Sequence, residues 1–157
     1  MQNKFSIVLV APEIPGNTGS IGRTCVALGL RLILIHPLAF DLSEKAVRRA
    51  GLDYWKHVNL SEYQSFDEFL LIEKPAREKL FFFSRFKQER SFYNAGYSEE
   101  CYLIFGSETT GLPQEILKAY EERTVALPMF SAEIRSLNLS NVATAAAYEA
   151  LRCLMSS

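Results

Sequence analysis

Six short stretches of the chain are mainly apolar, and longer polar or mixed segments separate them. Apolar runs without the alternation of a half-exposed strand are typical of strands that are buried on both faces of a parallel sheet. The six stretches therefore predict strands. They are FSIVLVA (5–11), RLILI (31–35), VNL (58–60), LFFF (80–83), CYLIF (101–105) and TVALP (124–128).

The segments between these stretches favour helices. Residues 18–28 place apolar side chains on one helical face. Ser65 and Glu68 have the spacing of a capping box, which begins a helix after Ser65. Strands that alternate with helices predict an α/β fold, with a mostly parallel sheet and helices on both of its faces. A short helix is predicted to follow Ser43 as its cap and to run through Ala50, and another spans residues 112–120. The last predicted helix is capped by Ser140 or Asn141.

Four polar or glycine-containing segments each follow a predicted strand. They therefore emerge at the carboxyl edge of the sheet, which is the edge where open α/β folds bind their ligands. Four such segments exceed what simple connections need, so we expect a binding site there. The segments are PEIPGNTGS (12–20), SRFKQ (84–88), GSETTGLP (106–113) and MFSAEIRSLNLSN (129–141).

The length and composition indicate one globular domain over residues 1–157. The chain has 157 residues, of which 48% are hydrophobic, and its formal net charge is −1. No apolar run approaches the roughly 20 residues of a membrane span, so we expect no membrane partner. A charge near zero gives no overall attraction to nucleic acid. RNA binding would need a local basic patch.

The cysteines and histidines indicate neither a disulfide framework nor a metal site. The three cysteines lie far apart and lack CxxC spacing, which suits reduced thiols. His36 and His57 each lack a second candidate ligand at a suitable spacing. We therefore expect a cytoplasmic protein without a metal.

Two glycine-rich motifs come close to nucleotide-binding patterns without matching them. Gly16, Gly19 and Gly22 are spaced one residue off the dinucleotide fingerprint. GSETTG matches the first half of a phosphate loop, but Leu112 and Pro113 stand where lysine and a hydroxyl residue would bind phosphates. No G-x-S-x-G motif of a hydrolase is present. The remaining groups are backbone amides, small hydroxyls and side-chain amides, which suit recognition of a ribose or an adenine edge.

Three segments resemble, in order and spacing, the motifs of the SPOUT superfamily of RNA 2′-O-methyltransferases. They are PEIPGNTGSIGRT (12–24), LIFGSETTGLP (103–113) and LPMFSAEIRSLNLSNVATAAAYEA (127–150). RRAGLDYW (48–55) looks like the block found in the small single-domain branch that modifies the wobble nucleotide of tRNA, position 34. The likeness covers nearly the whole chain.

The resemblance implies a fold, a cofactor and partners. In this superfamily the sheet carries a deep C-terminal trefoil knot, S-adenosylmethionine binds in a bent conformation, and the enzyme is a homodimer. In the wobble branch the dimer itself grips the tRNA anticodon stem-loop. The implied activity is S-adenosylmethionine-dependent 2′-O-methylation of the wobble ribose. A related enzyme for ribosomal RNA and a noncatalytic knotted RNA-binding dimer remain as alternatives.

The resemblance also implies a cofactor site that is built mostly from backbone groups at the strand ends. We interpret the missing side chain of Gly106 as room for the ligand to approach the backbone. The implied cofactor residues are Phe83, Gly106, Leu127, Met129 and Ser136.

Three residues match catalytic positions of the family: Arg23, Asn138 and Tyr148. Arg23 would act as the base for the ribose hydroxyl or, because arginine stays protonated at neutral pH, would clamp a phosphate and orient the ribose. Asn138 would position the substrate or the arginine, and Tyr148 is either functional or packed in the dimer or core. Glu108 would pair with Arg23 or Arg135, or begin the helix that follows it.

A basic surface for RNA is expected from two groups of cations with phenylalanines between the residues of the second group. The residues are Lys45, Arg48 and Arg49, and then Arg85, Phe86, Lys87, Arg90 and Phe92.

Overall fold

The protein has a six-stranded sheet whose paired strands all run parallel. The structure is a computed structural model and describes residues 4–49, 52–86 and 89–156. The strand order is β3-β2-β1-β5-β4-β6. The strands are β1 (Phe5–Val10), β2 (Arg31–Ile35), β3 (Asn59–Tyr63), β4 (Leu80–Phe83), β5 (Cys101–Phe105) and β6 (Thr124–Val125).

Helices lie in the connections between successive strands, except between β4 and β5, where the described residues form no helix. The helices are α1 (Pro15–Leu28), α2 (Glu44–Arg49), α3 (Phe66–Glu73), α4 (Gln114–Ala119) and α5 (Leu139–Met155). Short 3₁₀ turns cover Trp55–His57, Arg77–Lys79 and Glu121–Arg123.

The side chains of the central strand alternate between two apolar layers. Ile7 packs in a cluster with residues of α1 and α5, whereas Val8 packs in a second cluster with residues of α3 and α4. Both residues are fully buried. The predicted α/β class, with a mostly parallel sheet and helices on both faces, is confirmed.

The predicted helices are present, with differences at their ends. α1 begins at Pro15 instead of Thr18, because proline at the first position is preorganised for a helix. The capping box is confirmed, since the Ser65 hydroxyl accepts a hydrogen bond from the Glu68 amide at 3.0 Å. α2 ends at Arg49 within the described residues, and the predicted end at Ala50 lies outside them.

The predicted strands are also present, and three of them differ in length. β1 ends at Val10, one residue before the predicted end. β3 extends from VNL to Tyr63. β6 comprises only two residues, and Ala126 continues it with a single bridge to Ser91. The edge position of β6 explains its shortness, because only β4 pairs with it.

The last part of the chain returns from the edge of the sheet to its middle. β6 pairs with β4, whereas α5 packs against α1 and β5. The segment between them therefore crosses the carboxyl edge of the sheet. The trefoil knot that would involve this crossing stays a prediction. Within the described residues, no helix is long and apolar enough to cross a membrane.

Candidate functional site

A cleft of about 370 Å³ opens at the carboxyl edge of the sheet. Its walls come from the segments that follow β1, β4, β5 and β6 and from the start of α5. All five residues predicted to hold the cofactor line this cleft: Phe83, Gly106, Leu127, Met129 and Ser136. The fold thus brings together residues that are more than 50 positions apart in the chain.

The floor of the cleft is apolar. The rings of Phe83 and Phe105 stack with centroids 4.6 Å apart and planes inclined by 19°, and both residues are buried. Leu112, Leu117 and Val142 are among the other apolar residues that line the cleft. Such a floor suits the flat, uncharged face of an adenine.

Gly106 is also needed for the shape of its own loop, and its predicted role toward the ligand stays a prediction. An added Cβ would lie 2.1 Å from the carbonyl carbon of Gly111 and 2.1 Å from the nitrogen of Leu112. The segment folds back tightly here, since Ser107 and Gly111 exchange backbone hydrogen bonds of 3.3 and 2.9 Å. Glycine is therefore required by the loop itself, before any ligand binds.

Glu108 caps the first helix from another loop. Its carboxylate accepts hydrogen bonds from the amides of Glu13 (2.9 Å) and Ile14 (2.7 Å) and from Nδ2 of Asn17 (3.2 Å). α1 has no side-chain cap of its own at Ile14, so the carboxylate satisfies free N–H groups and faces the positive end of the helix. These bonds hold Glu108 at α1, so its predicted place at the start of α4 is wrong.

Glu13 returns the interaction. Its Oε1 accepts hydrogen bonds from the amide (3.3 Å) and the hydroxyl (2.5 Å) of Thr109. These bonds lower the pKa of Glu13 from its usual value. The carboxylates of Glu13 and Glu108 therefore hold the segments after β1 and β5 together by hydrogen bonds.

Asn138 caps the last helix. Its Oδ1 accepts hydrogen bonds from the amides of Ser140 (2.9 Å) and Asn141 (3.3 Å). The prediction that Ser140 or Asn141 serves as the cap is thus wrong, because the helix begins at Leu139, two or three residues earlier than those caps imply. Asn138 nevertheless lines the cleft, and its Nδ2 donates to Oδ1 of Asn17 at 3.1 Å.

Asn17 links the three motifs, and sequence reasoning missed it. Its amide bonds to Glu108 on one side and to Asn138 on the other. We call the chain Glu108–Asn17–Asn138 the amide relay. One signal for it was available in the sequence: no Ser, Thr, Asp or Asn precedes Pro15 as a cap, so α1 needs an acceptor from elsewhere.

Two of the predicted catalytic residues lie outside the cleft of their own chain. Arg23 is exposed on α1, and its position is about 9 Å further along the helix axis than Asn17. Its guanidinium lies 5.5 Å from the ring centre of Tyr54, whose hydroxyl donates to the carbonyl of Gly19 at 2.7 Å. Burial raises the pKa of Tyr54, and the charge of Arg23 opposes the rise. Tyr148 is 54% exposed on α5 and thus is not packed in the core of its own chain.

Gly19 and Gly22 of α1 serve packing. An added Cβ on Gly22 would lie 2.6 Å from Cζ3 of Trp55, and one on Gly19 would lie 3.1 Å from Cδ2 of Leu52. Trp55 and Leu52 belong to the segment RRAGLDYW, whose residues 50–51 lie outside the described residues. The spacing that came close to a dinucleotide fingerprint thus gives a close contact between α1 and this segment.

The predicted basic surface is partly present. Lys45, Arg48 and Arg49 are exposed on α2. The second group is split, because Phe92 is only 5% exposed and belongs to the core, so its predicted place on the surface is wrong. Lys87 lies outside the described residues.

Comparison with known proteins gives a consistent assignment. A profile described as the SpoU rRNA Methylase family matches residues 4–148. The chain is 48% identical over 149 residues to a Listeria innocua protein that is provisionally named a tRNA (cytidine(34)-2'-O)-methyltransferase. That alignment covers 93% of this chain and 86% of the Listeria protein.

Solved structures agree with the sequence comparison. One, reported as structural insights into the 2-OH methylation of C/U34 on tRNA, is 45% identical with a TM-score of 0.87, covering 98% of this chain and 97% of that chain. The SpoU methyltransferase AviRb from Streptomyces viridochromogenes, in complex with the cofactor AdoMet, is 27% identical with a TM-score of 0.78. That match covers 100% of this chain and 63% of AviRb. Because the family profile spans most of the sequence, the chain belongs to the SpoU rRNA methylase family.

Proposed function

We propose that this protein transfers a methyl group from S-adenosylmethionine to the ribose 2′-hydroxyl of the wobble nucleotide, position 34, of a tRNA. The observation that carries the proposal is the cleft, which unites all five residues expected at the cofactor. The name of the Listeria protein and the subject of the C/U34 structure support the choice of substrate. The AdoMet complex of AviRb supports the choice of cofactor.

The residues of the cleft fit S-adenosylmethionine. Its volume of about 370 Å³ lies in the range of small-molecule sites. The stacked rings of Phe83 and Phe105 offer an apolar floor for the adenine, and the backbone of Gly106 and Leu127 offers polar groups without charge. When bound, the cofactor supplies a methyl group on a positively charged sulfur. The protein has to place a hydroxyl in line with it and keep water away.

Different residues of the chain exclude water, orient the substrate and hold a phosphate. The apolar floor excludes water, and the hydroxyl of Ser136 at the rim is available to the cofactor. The amide relay fixes Asn138 at the cleft, where it can orient the substrate ribose. We assign Arg23 the role of holding a phosphate next to that ribose, because a guanidinium donates two parallel hydrogen bonds to phosphate oxygens.

Arg23 is supplied to the cleft by a second copy of the chain. Within one chain it lies on the exposed face of α1 and does not line the cleft. Tyr148 and Met155 are also exposed, on α5, which packs beside α1. A homodimer that covers these faces would bring Arg23 of one copy to the cofactor of the other. The proposal includes a single domain over residues 1–157, a cytoplasmic location, and a dimer that grips the anticodon stem-loop.

The activity is tested by incubating the protein with total tRNA and labelled S-adenosylmethionine and then mapping the modified nucleotide. We expect the label on the 2′-oxygen of position 34. Ribosomal RNA is the matched substrate control. Label on a base, or on ribosomal RNA alone, would overturn the proposed function.

The shared site is tested by subunit complementation. Arg23→Ala removes the group given to the partner, and Ser136→Phe fills the cleft of its own chain. Each variant alone should be inactive, and co-expressed copies carrying different tags should regain methylation in mixed dimers. If mixed dimers that bind both tags stay inactive, Arg23 does not act across the interface.

A further inference from the structure

An exposed aromatic ring stands at the mouth of the cleft. Phe86 lines the cleft, yet it is 62% exposed. The guanidinium of the neighbouring Arg85 lies 4.5 Å from the centre of the ring. The ring therefore exposes an apolar face to solvent, with a positive charge beside it. Neither the exposed face nor the charge contributes much to the stability of the hydrophobic core.

The aromatic residues at the floor differ from Phe86. Phe83 and Phe105 are buried and stack on each other, so their facing surfaces are used. Phe86 is exposed, and the contact described for its ring is the one with Arg85. The floor and the mouth of the cleft thus offer two separate aromatic surfaces. The floor suits the cofactor, which leaves the mouth for the other reactant.

Arg85 brings a positive charge to the lining of the cleft. Among the described residues that line the cleft, the charged ones are Arg85 and Glu108. Glu108 is negative, and its oxygens already accept three hydrogen bonds at α1. The formal net charge of the chain is −1, so its overall field does not attract RNA. Local cations such as Arg85 must bind the phosphates.

We propose that Arg85 and Phe86 form the nucleotide-binding step of the cleft, in which the ring of Phe86 stacks on the unpaired target base and Arg85 binds an adjacent phosphate. This inference rests on the proposed function and specifies how its substrate is held. A ribose 2′-hydroxyl reaches the cleft only if its nucleotide leaves the helical stack, and unpaired bases bind proteins by stacking on aromatic rings. Every base has such a face, so this step selects an unpaired nucleotide and not a particular base.

The stacking is tested with two substitutions of Phe86 and two RNAs. Phe86→Leu keeps an apolar side chain without a ring, and Phe86→Trp keeps a ring. Affinity is measured by fluorescence anisotropy for an anticodon stem-loop and for the same RNA lacking the base at the target nucleotide. We expect Phe86→Leu to weaken binding of the intact RNA by about 5- to 100-fold and Phe86→Trp to preserve it. On the RNA without the base, wild-type protein and Phe86→Leu should bind alike.

The phosphate contact is tested through salt dependence. Arg85→Gln should lower the slope of log affinity against log salt concentration by about 0.7 to 0.9, the change for one lost phosphate contact. Arg85→Lys should retain the slope. Lys118→Gln removes an exposed cation of α4 that does not line the cleft, and is the matched control. Its slope should equal that of the wild type.

Two results would overturn the inference. One is unchanged RNA affinity in Phe86→Leu, or an equal loss on both RNAs. The other is a loss of S-adenosylmethionine affinity in Phe86→Leu as large as the loss for RNA, measured by calorimetry, because the ring would then belong to the cofactor. If wild-type protein shows the expected binding differences but methylates no tRNA, the inference stands and the proposed function fails.

Discussion

The cleft and the exposed face of α1 and α5 contrast in how complete they are within one chain. The cleft is held by hydrogen bonds that join three loops through Glu108, Asn17 and Asn138. On the other face, Arg23 contacts only the ring of Tyr54 among the interactions described, and Tyr148 stands 54% exposed. The cofactor side is thus preorganised by the fold, whereas the substrate side awaits other molecules.

The difference shows which parts of the methyl-transfer site one chain forms by itself and which parts need another molecule. A cofactor needs a site that exists before it binds, because loops that must first be ordered weaken binding. Groups that act on a large RNA can be completed by a second copy, which also enlarges the binding surface. We therefore expect substitutions in the loops joined by these hydrogen bonds to change stability and cofactor affinity, and substitutions on the exposed face to change turnover alone.

Arg23→Ala should have the largest effect on methylation and should separate methylation most clearly from cofactor binding. We expect methylation to fall by at least about 100-fold, because an oriented charged contact to the substrate is lost, while S-adenosylmethionine affinity persists. Methyl transfer to tRNA and cofactor calorimetry measure the two quantities. Unchanged turnover would show that Arg23 has no role in the mechanism. A loss of cofactor binding would show that Arg23 belongs to the cofactor site.

Gly106→Ala should damage the cleft itself. The added Cβ would overlap the backbone of Gly111 and Leu112, so we expect a loss of about 2 kcal/mol or more in the free energy of unfolding, together with weaker cofactor binding. Gly16→Ala is the matched control, since nothing lies within 4 Å of its added Cβ. Urea unfolding of both variants tests this. Equal stability of the two would show that the loop adapts freely.

Asn138→Ala removes the cap of α5 and one end of the amide relay. We expect a loss of about 1 to 2 kcal/mol in the free energy of unfolding, since the amides of Ser140 and Asn141 lose their acceptor. Ser140→Ala should cost less, because the cap is on Asn138. The order of the two thermal midpoints tests the cap assignment. The reverse order would restore Ser140 as the cap predicted from the sequence.

The carboxylates of Glu108 and Glu13 join the first and second motifs by reciprocal hydrogen bonds, but their removal should change stability by different amounts. Glu108→Gln weakens the acceptor at the start of α1 and should cost about 1 kcal/mol in the free energy of unfolding. Glu13→Gln should cost less, because the hydrogen bonds of Glu13 to Thr109 are exposed to solvent. Chemical unfolding of both variants provides the test. A larger loss of stability for Glu13→Gln would mean that the bonds of Glu13 to Thr109 contribute more than those of Glu108 to α1.

The sequence predicted most of the fold because its signals are local. Apolar runs gave the six strands, and the capping box at Ser65 gave the start of α3. The resemblance to a family supplied the five residues that line the cleft. The predicted cap of α5 was wrong, because the exact start of a helix depends on neighbours in space. The tight approach of Gly111 and Leu112 to Gly106 was missed for the same reason.

By itself, the sequence determined the α/β class, the edge of the sheet at which the loops gather, and the family. These follow from periodicity, from the parallel pairing of buried strands and from ordered motifs. Only the tertiary structure decided that Glu108 caps α1, that Asn17 links Glu108 to Asn138, and that Arg23 lies outside the cleft of its own chain. The physical reason is that these facts depend on hydrogen bonds between residues more than 90 positions apart, and on which side of a helix faces the cleft.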